Sequence, residues 1–548
     1  MQPHSATGTS PLQAVPMQER VLGRVVSDQA ARQGERVFMS FEDRRISFRE
    51  LDRLSNRLAN GLAGLGVGAG AQVALMLDNK PEVVLLYLAL AKLGAVAVAV
   101  NTAAKGELLA YYLTQSDSQL LIIDEALVER LLPVADRVPQ LARVVTLADD
   151  APSALPAALT LAQSDYLALL DAPDTPPGVQ VRFCDLHALI YTSGTTGASK
   201  GNMTTHASAL TIALQLAQAY GYRKDDVLYV CLPLFHGNAW LCSVLPALVA
   251  GAQIALSRRF SVSGFWDDIR RHGVTQFNAL GAMAHFLWSQ QPDPRDRDHR
   301  VRQVMVVPTP REIYHAFEER FGVRFTSLYA LTDCGIVTVR GMDAPADKWA
   351  SSGRACEGVE LRIVDDDDFP QPPGIPGEIV VRSREPWMHA QGYYAMPEAT
   401  AAANRNLWFH TGDRGVLDAE GYLSFVDRKK DAIRRRGENI SSFEVEQIIL
   451  KHPAVLDVAA YAVTSEHSED EVMVSVVLRD GASLAEATLI AHCAENMAYF
   501  MVPRYVEFRA ALPRTMTEKI EKYKLKAQAE QHLARLWDRE QAGIVIQR

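Results

Sequence analysis

The six cysteines, Cys184, Cys231, Cys242, Cys334, Cys356 and Cys493, include no C-x-x-C pair, so neither a thiolate zinc site nor a disulfide framework is expected. Basic residues are outnumbered: 56 Lys and Arg stand against 65 Asp and Glu, a formal charge of −9. A general grip on a nucleic-acid backbone needs the opposite balance, so no nucleic-acid partner is expected. The N-terminus, MQPHSATGTSPLQAVPMQER, lacks the basic start and apolar run of a signal peptide. The most apolar stretch, Val83 to Val100, is interrupted by Lys92 and Gly94. It is too broken to span a bilayer and reads as a buried helix feeding a buried strand. A cytoplasmic protein without a transmembrane segment follows, and the absence of a repeat of 20 to 50 residues excludes a solenoid.

What is present is an ordinary globular composition, 48% hydrophobic and 22% charged over 548 residues, long enough for several folding units at about 150 residues each. Residues 17 to 135 alternate helical and strand patterns. FRELDRLSNRLANGLAGLG has leucines at helical spacing, AQVALML and AVAVAV are strand-like, and PEVVLLYLALAKLG opens on Pro81. That rhythm predicts an α/β fold with parallel strands, and it returns in DVLYVCLPL, FWDDIRRHGVTQFNAL and REIYHAFEERFGVRFTSLYALT. From Gly353 to Val426 short alternating runs (VELRIV, GEIVVRS, GYLSFVD) separated by turn residues predict antiparallel strands or a small barrel. After the basic stretch RKKDAIRRRGEN a compact helix, strand, strand, helix pattern runs to Lys526. The expected division is a large N-terminal domain, residues 1–429, of α/β subdomains plus a small β-barrel-like part, and a small α+β C-terminal domain, residues 430–548. The run Asp365 to Asp368 precedes PQPPG and reads as a solvated turn, since consecutive carboxylates cannot converge on one cation.

The most informative segment is His187 to Gly201, HALIYTSGTTGASKG. An apolar run is followed by nine residues that are all Gly, Ser, Thr, Ala or Lys. Glycines let backbone N–H groups turn inward as an anion nest, hydroxyls add donors and Lys200 adds charge. Such a loop is suited to phosphate. It is not a Walker A motif, because Ser199 stands where the second glycine would be. Gly197-Ala198-Ser199-Lys200-Gly201 does match G-x-S-x-G, but an elbow serine sits directly off its strand and Ser199 lies several residues beyond ALIYT. A serine hydrolase using Ser199 is therefore a distant alternative.

YTSGTTGASKG resembles the phosphate loop of the adenylate-forming superfamily, which comprises acyl-CoA synthetases, adenylation domains of peptide synthetases and luciferases, with Ser199 in place of a usual proline. Further blocks resemble that family in order. They are PLFHGNAW (233–240), SLYALTDCG (327–335), GEIVVRS with GYYAMPEAT, WFHTGDRGVLDAEGYLSFVDRKKDAIRRRGENISSFEVE, and LPRTMTEKIEKYKLK (512–526). The resemblance implies an ATP-dependent acyl-CoA ligase. Such an enzyme joins a carboxylate to the α-phosphate of ATP, expels pyrophosphate, and passes the acyl group from AMP to a thiol.

Residue by residue, the resemblance implies that Thr192, Ser193, Gly194, Thr195, Thr196, Gly197 and Lys200 cradle the terminal phosphates. Tyr329 would stack on adenine, Thr332 would bond phosphate, and Asp413 with Arg428 would hold the ribose. Asp333 stands where the family usually has Glu as the Mg²⁺ ligand, its carboxylate retracted by about 1.5 Å; a bridging water would make up the difference. His236, Gly237, Asn238 and Ala330 would form the acyl pocket. Lys519 would be the catalytic lysine and Lys430 the hinge about which a mobile C-terminal domain rotates. Arg435, Gly437 and Glu438 would then face CoA, the arginine run 434–436 meeting its 3′-phosphate. ATP, Mg²⁺ and CoA are the expected cofactors and co-substrates. The expected partners are small molecules, a carboxylic acid foremost, and a homodimer is allowed.

Amino-acid-activating relatives carry an Asp in the PLFHGNAW segment to pair an ammonium, and here there is none, so an acyl substrate is expected. Only 29 residues follow Lys519, which argues for free CoA over a fused carrier; an acyl-AMP ligase serving a separate carrier protein is the alternative. The ending VIQR is not a peroxisomal signal. FVDRKKDAIRRRGENISSFEVE resembles the crotonobetaine/carnitine-CoA ligase branch. A quaternary ammonium would need an aromatic cage, for which Trp240, Phe286 and Trp288 are candidates; medium-chain and aromatic acids are equally open.

Overall fold

The computed structural model describes residues 15–148, 155–156, 159–192, 198–428, 432–465, 469–514 and 520–547. Local signals place the first helices. Ser47 accepts from the Glu50 N–H to start the helix Phe48–Gly64, a serine cap at the expected spacing. Pro81 opens the helix Pro81–Leu93 and Gly94, at φ 66°, closes it, since a left-handed closing residue is cheap only for glycine. Nearly every side chain of that helix is buried, and it feeds the strand Val96–Ala99.

Two large sheets result. One has seven strands in the order 162–165, 143–147, 120–124, 72–76, 96–99, 186–192, 200–205, all parallel except the last. The other has nine, with a parallel centre from Arg324–Leu331 through Gln276–Leu280 to Val37–Phe41 and antiparallel strands at both edges. Helices between them bury a common apolar core that includes Val73, Ile190, Leu228, Ile254 and Phe277. At about 1.5–3 kcal/mol per buried large aliphatic or aromatic side chain, this core fixes the relation of the two sheets.

Of the two forms expected after Gly353, antiparallel strands or a small barrel, the structure has the first, a five-stranded antiparallel sheet with Val359–Val364 at one edge and Leu423–Arg428 near the other. The smaller C-terminal domain has a four-stranded mixed sheet built on Val455–Thr464 and Asp470–Leu478. Its Ile440, Val445, Phe500 and Met501 share one apolar cluster with Leu121 of the first large sheet and with Leu108 and Leu109 of the helix Gly106–Gln115. All six cysteines are free, and no described helix is long and apolar enough to cross a membrane. Eight elements carry the site: β1 (Leu186–Thr192), β2 (Lys200–Thr205), β3 (Arg324–Leu331), β4 (Trp408–Leu417), β5 (Leu423–Arg428), β6 (Ala432–Arg435), β7 (Glu438–Ser441) and α1 (Ser442–Leu450).

Candidate active site

β1 and β2 are antiparallel neighbours with Thr192 opposite Lys200, so the described residues on either side of the glycine-rich stretch are paired strands. Ser193, Gly194, Thr195, Thr196 and Gly197 lie outside the described residues. Thr192, Ser199 and Lys200 line a cavity of ≈ 660 Å³. The Lys200 ammonium stands 4.6 Å from the centre of the Tyr393 ring, a cation–π distance. Ser199 is 2% exposed; its N–H donates to Glu444 Oε1 at 2.6 Å and its carbonyl accepts from the Tyr111 hydroxyl at 2.6 Å. Ser199 leads into the strand β2 and not from a strand into a helix, so the nucleophile-elbow geometry that the hydrolase alternative needs is absent.

β3 delivers the next group. Ala330, Thr332 and Asp333 line the cavity. Burial pushes the Asp333 carboxyl above its usual range, offset in part by the Tyr393 hydroxyl, the Lys200 charge and the Asn202 amide. Tyr329 departs from expectation: its ring is buried in an apolar cluster with Cys334, Val337 and Ile379 and is not part of the cavity wall. Its hydroxyl donates to Asp413 Oδ2 at 2.8 Å, so it orients the carboxylate instead of presenting a stacking face.

Asp413 sits on β4, 4% exposed, in a turn-like segment pinned by three bonds. The Thr411 hydroxyl donates to the Ile379 carbonyl at 2.7 Å, the Gly412 N–H to Glu378 Oε1 at 3.2 Å, and the Asp413 N–H to the Thr411 hydroxyl at 3.1 Å. The register of β4 and β5 sets residue 428 directly opposite Asp413.

The remaining wall joins the two domains. Phe235, His236 and Gly237 face Gly437, Glu438, Ile440 and Glu444 of the C-terminal domain. His236 Nε2 is 2.9 Å from Glu438 Oε2. Burial lowers the imidazole pKa, but the Glu438 carboxylate more than offsets this and leaves it raised. Gly437 is at φ 84°, and a Cβ there would come 2.1 Å from Leu280 Cδ1. Asn238 does not line the cavity; its side-chain oxygen accepts from Asn278 at 3.0 Å.

Arg435 is a correction to the CoA-facing expectation. It is 2% exposed, with Nε 2.6 Å from Glu471 Oε2 and Nη1 donating to the carbonyls of Phe500 and Val502. A guanidinium committed to those partners holds the domain together and cannot meet a phosphate, whereas Arg436 is half exposed and paired only loosely with Glu540 at 3.6 Å. Lys430 and Lys519 lie outside the described residues. Arg514 and Ile520, which flank the latter, bridge each other and do not line the cavity. Trp240 is not a cage residue: it is fully buried, stacked on Tyr87 at 4.4 Å, and donates to His187 Nε2 at 2.9 Å. The Trp288 ring is covered by the Arg320 guanidinium at 5.5 Å. Glu444 and Tyr393 also line the cavity; neither carries a motif of its own, although ISSFEVE and GYYAMPEAT, which contain them, stand out as blocks.

A family model described as AMP-binding enzyme matches residues 26–394, and one described as AMP-binding enzyme C-terminal domain matches residues 444–519. Crotonobetaine/carnitine–CoA ligase of Salmonella paratyphi C (strain RKS4594) is 34% identical over 520 residues, 92% of this chain and 98% of that protein. Among solved structures, a variant of o-succinylbenzoate CoA synthetase (MenE) from Bacillus subtilis, bound with its product analogue OSB-NCoA, is similar at a TM-score of 0.80 and 26% identity, over 92% of this chain and 97% of that one. A fatty acyl CoA synthetase of Mycobacterium tuberculosis is similar at a TM-score of 0.64 and 27% identity, over 93% and 99%. The order of blocks, the two-domain fold and the end-to-end match to these relatives agree, and the chain belongs to the AMP-binding enzyme family.

Proposed function

We propose that the protein is an ATP-dependent acyl-CoA ligase that forms an acyl-AMP with release of pyrophosphate and transfers the acyl group to CoA. One observation carries this reading: Thr192 and Lys200 on either side of the glycine-rich stretch, Asp333, Asp413 and the C-terminal residues Gly437 and Glu438 all face a single cavity. Asp413, with Tyr329 fixing its orientation, would accept from the ribose hydroxyls. Thr192 and Lys200 would hold the phosphate end, and His236, Gly237 and Ala330 the acyl end. Both half-reactions develop negative charge, so donors and cations placed in advance are what lower the barrier. Lys519 is assigned the α-phosphate and the attacking carboxylate, and Lys430 the hinge between residues 429 and 430.

Among the described residues no group of three His, Cys, Asp or Glu side chains could hold a metal ion unaided. Mg²⁺ needs only one or two carboxylates beside substrate phosphates and waters, and Asp333 on the cavity wall fits that requirement; burial disfavours its charge, which a cation would relieve. The ion would neutralise charge on the departing pyrophosphate.

The 34% identity to crotonobetaine/carnitine–CoA ligases puts short carnitine-type acids first on the list of substrates to test. Against them stands the loss of Trp240 and Trp288 as cage residues, so a different cation partner would be required. A cytoplasmic location fits this chemistry. The deciding experiment incubates the protein with ATP, Mg²⁺, CoA and a panel of carnitine-type, medium-chain and aromatic acids. Acid-dependent pyrophosphate with CoA-dependent AMP is expected; AMP release indifferent to CoA would favour a separate carrier protein, and no pyrophosphate with any acid would overturn the reading.

A further inference from the structure

We infer that His389 and Asn202 are positioning residues for Asp333: together they bind a water beside it, and through that water they hold the carboxylate ready for the metal. The inference rests on the ligase reading above, in which Asp333 meets Mg²⁺. A recess of ≈ 40 Å³ adjoins the main cavity and is lined by Asn202, Asp333, His389 and Asn404. Asp333, Tyr393 and Phe409 belong to both walls. A buried water needs at least about 10–15 Å³ and about two to four polar partners, so the recess has the room and the groups for one.

Two of those groups lack a partner. Asn202 is fully buried, and its Oδ1 accepts from the Thr204 hydroxyl at 3.4 Å. Its Nδ2 completes no hydrogen bond among the described residues, and neither does the buried Nε2 of His389. Burial pushes the His389 imidazole down to about 4, so near neutrality the ring is uncharged and Nε2 can give or take one bond. An unmet polar atom in such a place costs about 1–3 kcal/mol. One water serves both: it accepts from Asn202, engages His389 Nε2 and donates to Asp333. A carboxylate on both walls can then accept with one oxygen and leave the other to the main cavity. Burial works against its charge, so each donor fixed beside it favours the ionised form that a cation requires.

The backbone carries these groups on one braced piece. The Met203 N–H donates to the Gly392 carbonyl and the Gln391 N–H to the Met203 carbonyl, both at 2.9 Å, which sets Asn202 across from Tyr393. His389 precedes that pairing by two residues, and its carbonyl accepts from the Gln391 side-chain amide at 3.1 Å. Groups that orient a metal ligand from outside the coordination sphere matter: their loss weakens metal binding by about 10–100-fold.

The test measures ATP binding by calorimetry without any acid, once with Mg²⁺ and once with a chelator, in the wild type, D333N, H389F, H389Q and N202A. The ratio of the two affinities within each protein is the gain due to the metal. The wild type should show a gain and D333N should lose it. H389F, which keeps a ring but no nitrogen, and N202A should each weaken it by about tenfold. H389Q, whose amide can still hold the water, should keep most of it. A cooperative thermal transition shows that a variant is folded, and should H389F not fold, N202A decides. A gain that survives in a folded H389F or in N202A, while D333N loses it, overturns the inference, and so does an H389Q as poor as H389F, since ring shape would then be what counts. A gain untouched in D333N removes the metal role of Asp333 and the inference with it. A wild type that releases no pyrophosphate with any acid instead overturns the ligase reading.

Discussion

His236 Nε2 and Glu438 Oε2 meet at 2.9 Å across the two domains, and the carboxylate holds the imidazole above its ordinary range. A raised histidine favours the docked state fully below its free value near 6.5, and the advantage fades as pH climbs through the raised value. The apparent KM for CoA in the acyl-transfer half-reaction should therefore rise on going above neutrality, by up to about tenfold. Glu438→Gln should flatten that profile. A KM that falls or stays level across pH 6 to 8.5 in the wild type would contradict the contact's role.

Gly437 should tolerate no side chain during acyl transfer. Its positive φ and the close approach of Leu280 both oppose a Cβ. Gly437→Ala is expected to slow transfer from preformed acyl-AMP by about tenfold or more, at about 1–3 kcal/mol of strain, while acyl-AMP formation is spared. Equal slowing of both steps would place Gly437 elsewhere in the cycle.

Lys519→Ala separates the half-reactions in the other direction. On the proposed role of Lys519 as a cation delivered to the developing charge, its loss should cost about 3–4 kcal/mol, roughly 10²–10³ in acyl-AMP formation. Transfer from acyl-AMP should survive, as measured by thioester appearance.

Tyr329→Phe tests the orienting hydrogen bond to Asp413. Removing one donor from a buried carboxylate costs about 1–3 kcal/mol, so the KM for ATP should rise by about five- to a hundredfold with a smaller change in kcat. Were Tyr329 an adenine-stacking residue instead, phenylalanine would substitute almost freely.

Acid should unfold the N-terminal domain early. His206 is fully buried and its Nδ1 accepts from the Leu22 N–H at 3.3 Å, so the ring must stay neutral, and burial holds it down to about 4. With the folded value below the free one, stability is complete above about pH 6.5 and falls by about 3 kcal/mol as pH drops towards 4. Urea midpoints at pH 7.5, 5.5 and 4.5 should decline accordingly, and His206→Gln should remove part of the slope.

Periodicity and turn chemistry made much of this fold readable in advance. Pro81 and Gly94 bracket the helix they were expected to bracket, and the short runs after Gly353 do pair antiparallel. Strand order was not readable, because Val37–Phe41 joins Gln253–Leu256 more than 200 residues later through apolar side chains that would fit many neighbours. In the site, Thr192, Lys200, Asp333 and Asp413 could be singled out because their separate blocks resemble one family in one order, and all four line the same cavity; their roles there are proposed. Glu444 could not, since a glutamate in a helix's first turn beside a capping serine looks like ordinary dipole chemistry. Arg435 and Trp240 misled for the opposite reason: an arginine triplet suggests solvent and a tryptophan beside the pocket suggests a ligand, yet both are committed to interior partners.

The segment from Gln391 to Tyr394 pairs along β2 through main-chain bonds, Met203 N to Gly392 O, Gln391 N to Met203 O and Tyr394 N to Gly201 O. The chain thus returns, after nearly two hundred residues, to stitch itself onto the strand that opens with Lys200, before it goes on to Asp413, the proposed ribose ligand. A polypeptide cut anywhere between those two stretches would have to sew the same seam anew before Lys200 and Asp413 could share one cavity.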